Sequence, residues 1–195
     1  MNKININDNI KSLIFDCDGT LVDSMPLHMN AWEEAFKFFR SKYDYEFFFS
    51  LNGMKEIEIV KLYNEKFGTN LDPEKVVSEK HNYYLNNIDT VKPIEPIVNI
   101  AKKYSTKLPL AVVSGSVRNI VHTELELVGI FNLFKLILTA SDSYKPKPAP
   151  DIFIAASEKL KVAPEQCLVF EDGDLGLNAA KNAGMQTVDV KKFLD

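Results

Sequence analysis

The chain has 195 residues, of which 46% are hydrophobic and 26% are charged, and its formal net charge is −4. This composition can bury the core of one large domain, or of a domain with a small insertion, and it excludes a compositionally disordered chain. The dispersed lysine and arginine residues argue against nucleic acid or an anionic membrane surface as the main partner, and no apolar run approaches the ~20 residues that cross a bilayer.

The N-terminal segment and the two cysteines bear on cellular location. Residues 1–8 alternate between polar and apolar side chains and contain no apolar block of the kind found in a signal peptide. Cys17 and Cys167 each lie within or beside an apolar run, so we expect both to be reduced thiols in the core. We expect a cytoplasmic protein that acts as a monomer.

The first element in chain order is an apolar strand, and a helical stretch follows it. The strand is predicted at Ile10–Asp16, and residues 23–91 contain no convincing strand. In that stretch apolar residues recur at helical spacing, which predicts helices at Met25–Arg40, Lys55–Phe67 and Pro73–Asn87. We expect the aromatic residues of this stretch to form the core of a small helical bundle; they are Phe36, Phe38, Phe39, Phe47, Phe48 and Phe49.

From about residue 92 onward, helices and short apolar strands alternate. The predicted helices are Pro93–Lys103, Val117–Val128, Asp151–Leu160 and Leu175–Ala183, and the predicted strands are Leu110–Ser114, Phe134–Thr139, Cys167–Phe170 and Gln186–Val190. Such alternation indicates crossover units and a parallel sheet with helices on both faces. We therefore predict a Rossmann-like α/β core made of residues 1–22 and 92–195. A helical domain, residues 23–91, would be inserted after the first strand, with the connections near residues 22–24 and 89–93 acting as a hinge pair.

Asp16 ends the first predicted strand, and Asp18 lies just beyond it, one residue further along the chain. Alternate residues of an extended chain share a side, so both carboxylates can face one site while Cys17 points away. Two carboxylates beside a metal suit phosphoryl transfer, since one can attack phosphorus and the other can move protons. A strand that simply ends in an Asp-Gly turn would give the same local sequence.

Polar residues also follow three later strands of the predicted sheet, and ligands of open α/β sheets bind at these carboxyl ends. One strand ends at Ser114, with Gly115 and Ser116 directly after it. Lys147 lies in a proline-rich segment after the next strand, and Glu171 and Asp172 follow a third. Carboxylate oxygens suit Mg²⁺. A serine hydroxyl with the amides that follow it suits a phosphate oxygen, and a lysine neutralises phosphate charge.

Each of these segments also has an interpretation without catalysis. Residues 114–116 can be a strand-to-helix turn in which Ser116 caps the helix. The Lys-Pro segment can be a stiff loop with a solvated lysine. The acidic run at residues 171–174, and Asp174 above all, can be first-turn residues favoured by the helix dipole. The order and placement of all four segments together favour the catalytic interpretation.

The four segments resemble the motifs of the haloacid dehalogenase superfamily over nearly the whole chain. Residues 16–20, Asp-Cys-Asp-Gly-Thr, resemble the first motif, Ser114 the second, Lys147 the third, and Glu171 with Asp172 the fourth. The inserted helices are similar to the small helical cap of a subgroup that includes β-phosphoglucomutase and sugar-phosphate phosphatases. The fourth-motif region and the chain ending are also similar to bacterial fructose-1-phosphate phosphatases.

The resemblance implies a mechanism and a metal. It implies that Asp16 forms an aspartyl-phosphate, that Asp18 is the acid and base, and that Ser114 and Lys147 hold the phosphoryl group. Mg²⁺ would be bound by Asp16, the main-chain carbonyl of Asp18, Asp172 and Glu171, the last directly or through water. The second aspartate argues against dehalogenation, because true dehalogenases of the superfamily lack it.

The resemblance also extends to the cap. His28 and Lys80 resemble the cap histidine and lysine of β-phosphoglucomutase, and the loop with Asn52 and Lys55 resembles its specificity loop. A histidine packed on a helix face would explain His28 equally well. The mutase also needs a cap arginine shortly after that loop, and here the place falls on Lys55 or Glu56. A lysine does not replace a bidentate arginine, so simple hydrolysis is favoured.

The sequence therefore predicts a Mg²⁺-dependent phosphatase that acts on a small phosphorylated metabolite, with a sugar phosphate related to fructose 1-phosphate as the expected substrate. One alternative is an isomerase of the β-phosphoglucomutase type, which would require a sugar bisphosphate. Inorganic pyrophosphate hydrolysis is a second alternative. A binding module that kept the fold and lost turnover is a third, and it would turn over no phosphate ester despite binding Mg²⁺.

Overall fold

The computed structural model describes residues 4 and 6–194. The described part of the chain divides into two compact units, one within residues 1–23 and 92–195 and the other formed by residues 24–91. The N-terminal alternation noted at residues 1–8 lies partly outside the described residues. None of the helices in the part described is long and apolar enough to cross a membrane.

The first unit contains a five-stranded parallel sheet, which confirms the predicted α/β fold. Its strands are β1 (Ser12–Phe15), β4 (Leu110–Val113), β5 (Leu136–Leu138), β6 (Cys167–Glu171) and β7 (Gln186–Asp189), in the spatial order β5-β4-β1-β6-β7. The helices that connect them are α5 (Glu95–Tyr104), α6 (Arg118–Leu127), α7 (Asp151–Leu160) and α8 (Asp174–Asn182). Because helices cover a parallel sheet on both faces, its central strand is apolar throughout, and Leu13, Ile14 and Phe15 are fully buried.

The second unit is a helical bundle. Its helices are α1 (Met25–Phe38), α2 (Tyr45–Ser50), α3 (Glu56–Phe67) and α4 (Pro73–Asn86). Aspartates begin two of them, since Asp44 accepts a hydrogen bond from the amide of Phe47, and Asp72 accepts from the amides of Glu74 and Lys75. The bundle core is aromatic, as expected, and it contains Trp32, Phe36, Phe47, Phe48 and Tyr63.

Each predicted strand and helix is present with its ends within two residues of the expected position. Three features differ. The sequence does not predict helix α2. Two aromatic residues that it predicts in the core, Phe38 and Phe49, are 66% and 50% exposed. A two-stranded antiparallel ribbon of β2 (Val22–Asp23) and β3 (Lys92–Pro93) joins the two chain segments of the first unit where they meet the insertion. Its strands are too short to produce a periodic pattern.

The described chain also contains four short 3₁₀ turns that the sequence did not predict, at Ile88–Thr90, Phe131–Leu133, Pro164–Gln166 and Val190–Phe193. Both cysteines are buried and free, in agreement with the expected reduced thiols.

Phe48 tests the aromatic core of the bundle. Its side chain is 1% exposed and stacks on Trp32 at a ring-centroid distance of 4.9 Å. Phe48→Ala should therefore lower the free energy of unfolding by about 3–5 kcal/mol, because it leaves a cavity among packed rings. Urea denaturation followed by the fluorescence of Trp32, the only tryptophan, reports on this unit.

Phe49→Ala is the matched control, since this neighbouring ring is half exposed. It should lower the free energy of unfolding by less than about 1 kcal/mol. Equal losses in the two variants would contradict the described packing.

Candidate active site

The sheet order brings the predicted site residues to one edge. Strand β1 lies between β4 and β6, and the chain continues from β1 to Asp16 and from β4 to Ser114, while Glu171 ends β6. Lys147 reaches the same edge from the loop between β5 and α7. Carboxyl ends of neighbouring parallel strands meet at one edge, so these four side chains come together.

Lys147 connects two carboxylates at the centre of this edge. Its Nζ atom donates to Asp16 Oδ1 at 2.7 Å and to Glu171 Oε2 at 2.7 Å. The side chains of Lys147, Asp16 and Glu171 are only 7%, 7% and 5% exposed. The interpretation of Lys147 as a solvated loop lysine is therefore wrong, because its ammonium group is buried and bonded to two carboxylates.

The acidic groups of this edge affect one another's protonation. Burial and the nearby charge of Glu171 raise the pKa of Asp16 well above its ordinary value, against the opposing effect of Lys147. Burial, together with the charge of Glu171, raises the pKa of Asp172 to about 6. Burial lowers the pKa of Lys147, but Asp16 and Glu171 outweigh it and leave that pKa above its usual range. The site therefore carries more negative charge than its lysine balances.

Asp16, Glu171 and Asp172 form a group that fits a divalent cation. One carboxylate oxygen from each lies within 4.8 Å of the others. Mg²⁺ prefers such oxygen ligands, and a cation would oppose the burial and the repulsion from Glu171 that raise the pKa values of Asp16 and Asp172. Within the part of the chain described, the Asp18 side chain does not belong to this group.

Thr20 and Gly19 support Asp172 from the turn after β1. The hydroxyl of Thr20, which is fully buried, donates to Asp172 Oδ1 at 3.4 Å. Gly19 has φ +75°, and a Cβ atom there would lie 2.6 Å from Asp172 Oδ2. The glycine of the first motif is thus required both by the backbone conformation and by the approach of this carboxylate.

Two serines hold the carboxylate of Asp18. Ser116 Oγ donates to Asp18 Oδ2 at 2.6 Å, and Ser114 Oγ donates to the same oxygen at 3.4 Å. The amide of Ser116 in turn donates to Ser114 Oγ at 2.9 Å, and the exposed Gly115 lies between the two serines. The alternative in which Ser116 caps the next helix is wrong, because the N-cap of α6 is Val117.

Cys17 lies between the two aspartates and has a partner on another element. Its thiol donates to Glu124 Oε2 on α6 at 3.4 Å, and both side chains are fully buried. Burial raises the pKa of this thiol well above its ordinary value, so the group remains a neutral donor. Cys17 thus contacts α6, while its neighbours Asp16 and Asp18 contact Lys147 and Ser116. This agrees with the expectation that Cys17 points away from the two carboxylates.

In the helical unit, the predicted substrate residues separate into two sets. Lys80 is 1% exposed, and its Nζ atom lies 2.8 Å from His28 Nδ1 and forms an ion pair with Glu56. His28 also stacks on Tyr84 at a ring-centroid distance of 4.3 Å. Asn52 and Lys55, by contrast, are exposed and make no contact with Lys80 or His28 among the bonds described.

Asn52 Nδ2 lies 3.5 Å from Met25 Sδ, and Lys55 is the N-cap residue of α3. The loop residues thus contact neighbours of their own unit.

Glu56 and Lys191 are residues whose contacts the sequence did not indicate. Burial raises the pKa of Glu56, but Lys80 and His81 outweigh it and hold that pKa well below its usual range. Lys191 Nζ, in the turn after β7, lies 3.8 Å from Asp172 Oδ2. Both contacts join elements that are distant in sequence, so no local pattern could reveal them.

Two charged residues beside the motifs remain peripheral to this edge. Asp174 is exposed at the first position of α8, in agreement with the helix-dipole interpretation. The Lys145 side chain is 78% exposed and lies 3.9 Å from Asp151.

Comparisons with known proteins agree with this geometry. Residues 13–190 match the family described as haloacid dehalogenase-like hydrolases, and the chain belongs to that family. The chain is 36% identical over 180 residues to the fructose-1-phosphate phosphatase YqaB of Escherichia coli, with 92% of this chain and 95% of that protein covered. It is 28% identical to a β-phosphoglucomutase of Bacillus subtilis, with 93% and 83% covered.

Among solved structures, CbbY from Rhodobacter sphaeroides has the same fold. The TM-score is 0.82 at 23% identity, with 91% of this chain and 84% of that chain covered. Family membership and the phosphatase relatives together make the chain a phosphoric monoester hydrolase, with an acidic cluster that can hold a metal.

The raised pKa of Asp172 predicts how pH affects the metal-free protein. The pKa is about 6 in the folded state against an ordinary 3.8, so between these values the folded state binds more protons than the unfolded state. The bound proton stabilises the folded state fully below pH ~4, and this stabilisation is lost as the pH rises through ~6. The loss in the free energy of unfolding is at most about 3 kcal/mol. The measurement is urea denaturation in chelator at several pH values.

Asp172→Asn supplies the reference, because other groups also titrate. The free energy of unfolding of the native protein, minus that of Asp172→Asn, should fall between pH 4 and 7, and Mg²⁺ should reverse the fall above pH ~6. A difference that stays constant or rises with pH would contradict the assignment.

Proposed function

We propose that this protein is a Mg²⁺-dependent phosphatase that hydrolyses a small phosphorylated metabolite through an aspartyl-phosphate on Asp16. The proposed substrate is a sugar phosphate similar to fructose 1-phosphate. The observation that carries the proposal is the buried contact of Lys147 with Asp16 and Glu171 beside an Asp18 that two serines hold. The relative YqaB, named a fructose-1-phosphate phosphatase, supports the substrate class.

In the first step, a carboxylate oxygen of Asp16 forms a bond to phosphorus while the bond to the leaving oxygen breaks. Asp18 gives its proton to that oxygen, so that the sugar departs as a neutral alcohol. Lys147 and Ser114 neutralise and hold the phosphoryl oxygens. The hydrogen bond from Ser116 keeps the carboxyl group of Asp18 in one orientation.

In the second step, water attacks the phosphorus of the aspartyl-phosphate and the bond to Asp16 breaks. Asp18, now a carboxylate, takes a proton from that water, so the acid of the first step is the base of the second. The products are inorganic phosphate and the free Asp16 carboxylate.

The acidic group described above would hold the metal. Asp16, Asp172, Glu171 and the main-chain carbonyl of Asp18 would be its ligands. When bound, Mg²⁺ would supply positive charge that lets the phosphate dianion approach the Asp16 carboxylate. Thr20 then keeps Asp172 in place by donating to the oxygen Oδ1.

We propose that the helical unit acts as the cap that reads the sugar, through His28, Asn52, Lys55 and Lys80. Two features favour hydrolysis over a mutase. The described helical unit has no arginine after the Asn52 loop, and the charge of Lys80 is already paired with Glu56. A second phosphate would have to compete with a carboxylate for that lysine. Monomeric action remains a prediction, which gel filtration tests.

A panel of phosphate compounds tests the function. The panel contains fructose 1-phosphate, other hexose phosphates, pyrophosphate, and β-glucose 1-phosphate with a trace of glucose 1,6-bisphosphate, each with Mg²⁺ and with chelator. Free phosphate from one or a few sugar phosphates, only with Mg²⁺, is expected. Glucose 6-phosphate without free phosphate would indicate a mutase, and no turnover at all would indicate a silent binding module.

Asp16→Asn tests the nucleophile. The amide cannot attack phosphorus as a carboxylate does, so kcat should fall by at least about a thousand-fold while the circular dichroism spectrum is retained. Asp8→Asn removes the same charge from an exposed turn and should leave kcat unchanged. Substantial activity in Asp16→Asn would remove the nucleophile assignment.

Asp18→Asn tests proton donation in the first step. In single-turnover experiments its defect should be large, about a hundred-fold or more, for a sugar phosphate, whose alkoxide is a poor leaving group. The defect should be much smaller for p-nitrophenyl phosphate, since that leaving group needs no proton. Equal defects for the two substrates would show that Asp18 is not the donor.

A further inference from the structure

Gly176 occupies a helical position at which the backbone does not require glycine. It lies in the first turn of α8, and it is absent from the glycines of the described chain that have a positive φ. Alanine is favoured over glycine in a helix, since glycine loses more conformational freedom. A glycine here therefore needs an explanation from the contacts around it.

The explanation lies in the carboxylate of Glu171. A Cβ atom at residue 176 would lie 2.1 Å from Glu171 Oε2, 2.2 Å from its Cδ and 2.6 Å from its Oε1. These separations are shorter than any non-bonded contact allows, and the obstructing atoms are not the end of a free side chain. The same carboxylate accepts from the amide of Gly173 at 3.1 Å and from Lys147 at 2.7 Å.

We propose that Gly176 is a positioning residue for the proposed phosphatase reaction. Its missing side chain provides the space in which Glu171 folds back onto α8 and meets Lys147 and the metal-binding group. A methyl group there displaces the Glu171 carboxylate, which removes one partner from Lys147 and one acid from the group with Asp16 and Asp172. The residue acts through Glu171 and contacts no substrate.

Gly176→Ala tests this role, with Asn178→Ala as the control at an exposed position of the same helix. The first readout is the rise in melting temperature of the protein with increasing Mg²⁺, which reports metal affinity without any substrate. Gly176→Ala should weaken Mg²⁺ binding by at least about ten-fold and lower kcat/KM similarly. The melting temperature in chelator should also fall, because the buried Lys147 loses one of its two carboxylate partners, and Asn178→Ala should behave as the native protein.

A second background separates positioning from a general structural effect. Glu171→Asp has a side chain shorter by one methylene, so its carboxylate no longer occupies the space beside residue 176. In the Glu171→Asp background, Gly176→Ala should change Mg²⁺ affinity by less than about two-fold, because the two effects are coupled. If Gly176→Ala alone fails to fold, the double variant should fold.

Either of two results would overturn the inference. One is a Gly176→Ala protein with native Mg²⁺ affinity, and the other is an equal loss, of affinity or of folding, in both backgrounds. The Mg²⁺ titration needs no turnover, so it decides the role of Gly176 even if the native protein hydrolyses no compound of the panel and the proposed function fails.

Discussion

The arrangement of the α/β unit depends on one buried ammonium group shared by two buried carboxylates. Removing each of these charges from water costs several kcal/mol, and the cost is recovered only when the geometry is close and each charge has its partners. Lys147 Nζ meets both Asp16 and Glu171 at 2.7 Å. Because the three residues come from distant parts of the chain, the strands must adopt their native order for all three charges to meet their partners.

The sequence allowed this edge of the sheet to be predicted because each contributing residue follows an apolar strand. A strand run such as residues 13–15 is recognisable from its composition, and the parallel arrangement then brings the strand ends together. The sequence alone therefore groups Asp16, Ser114 and Glu171 at one site. Lys147 was placed only by the order of the motifs, since the loop around it has no periodicity.

Other features lay beyond the sequence because they depend on contacts between distant elements. The six-residue helix α2 is shorter than a detectable helical period, and its Phe49 faces solvent although its composition suggested the core. The pairing of Glu56 with Lys80 joins α3 to α4. The significance of Gly176 appears only when the position of the Glu171 carboxylate is known.

The central claim is that Asp16 forms a covalent bond to phosphorus, and the stereochemical course of hydrolysis tests it most directly. The measurement uses a phosphorothioate ester that carries sulfur and two oxygen isotopes in a chiral arrangement at phosphorus. It is hydrolysed in water labelled with the third isotope, and the configuration of the released thiophosphate is then analysed. Two successive in-line displacements, first by Asp16 and then by water, predict overall retention of configuration. Inversion would mean that water attacks the substrate directly, and it would contradict the assignment of Asp16 as the nucleophile.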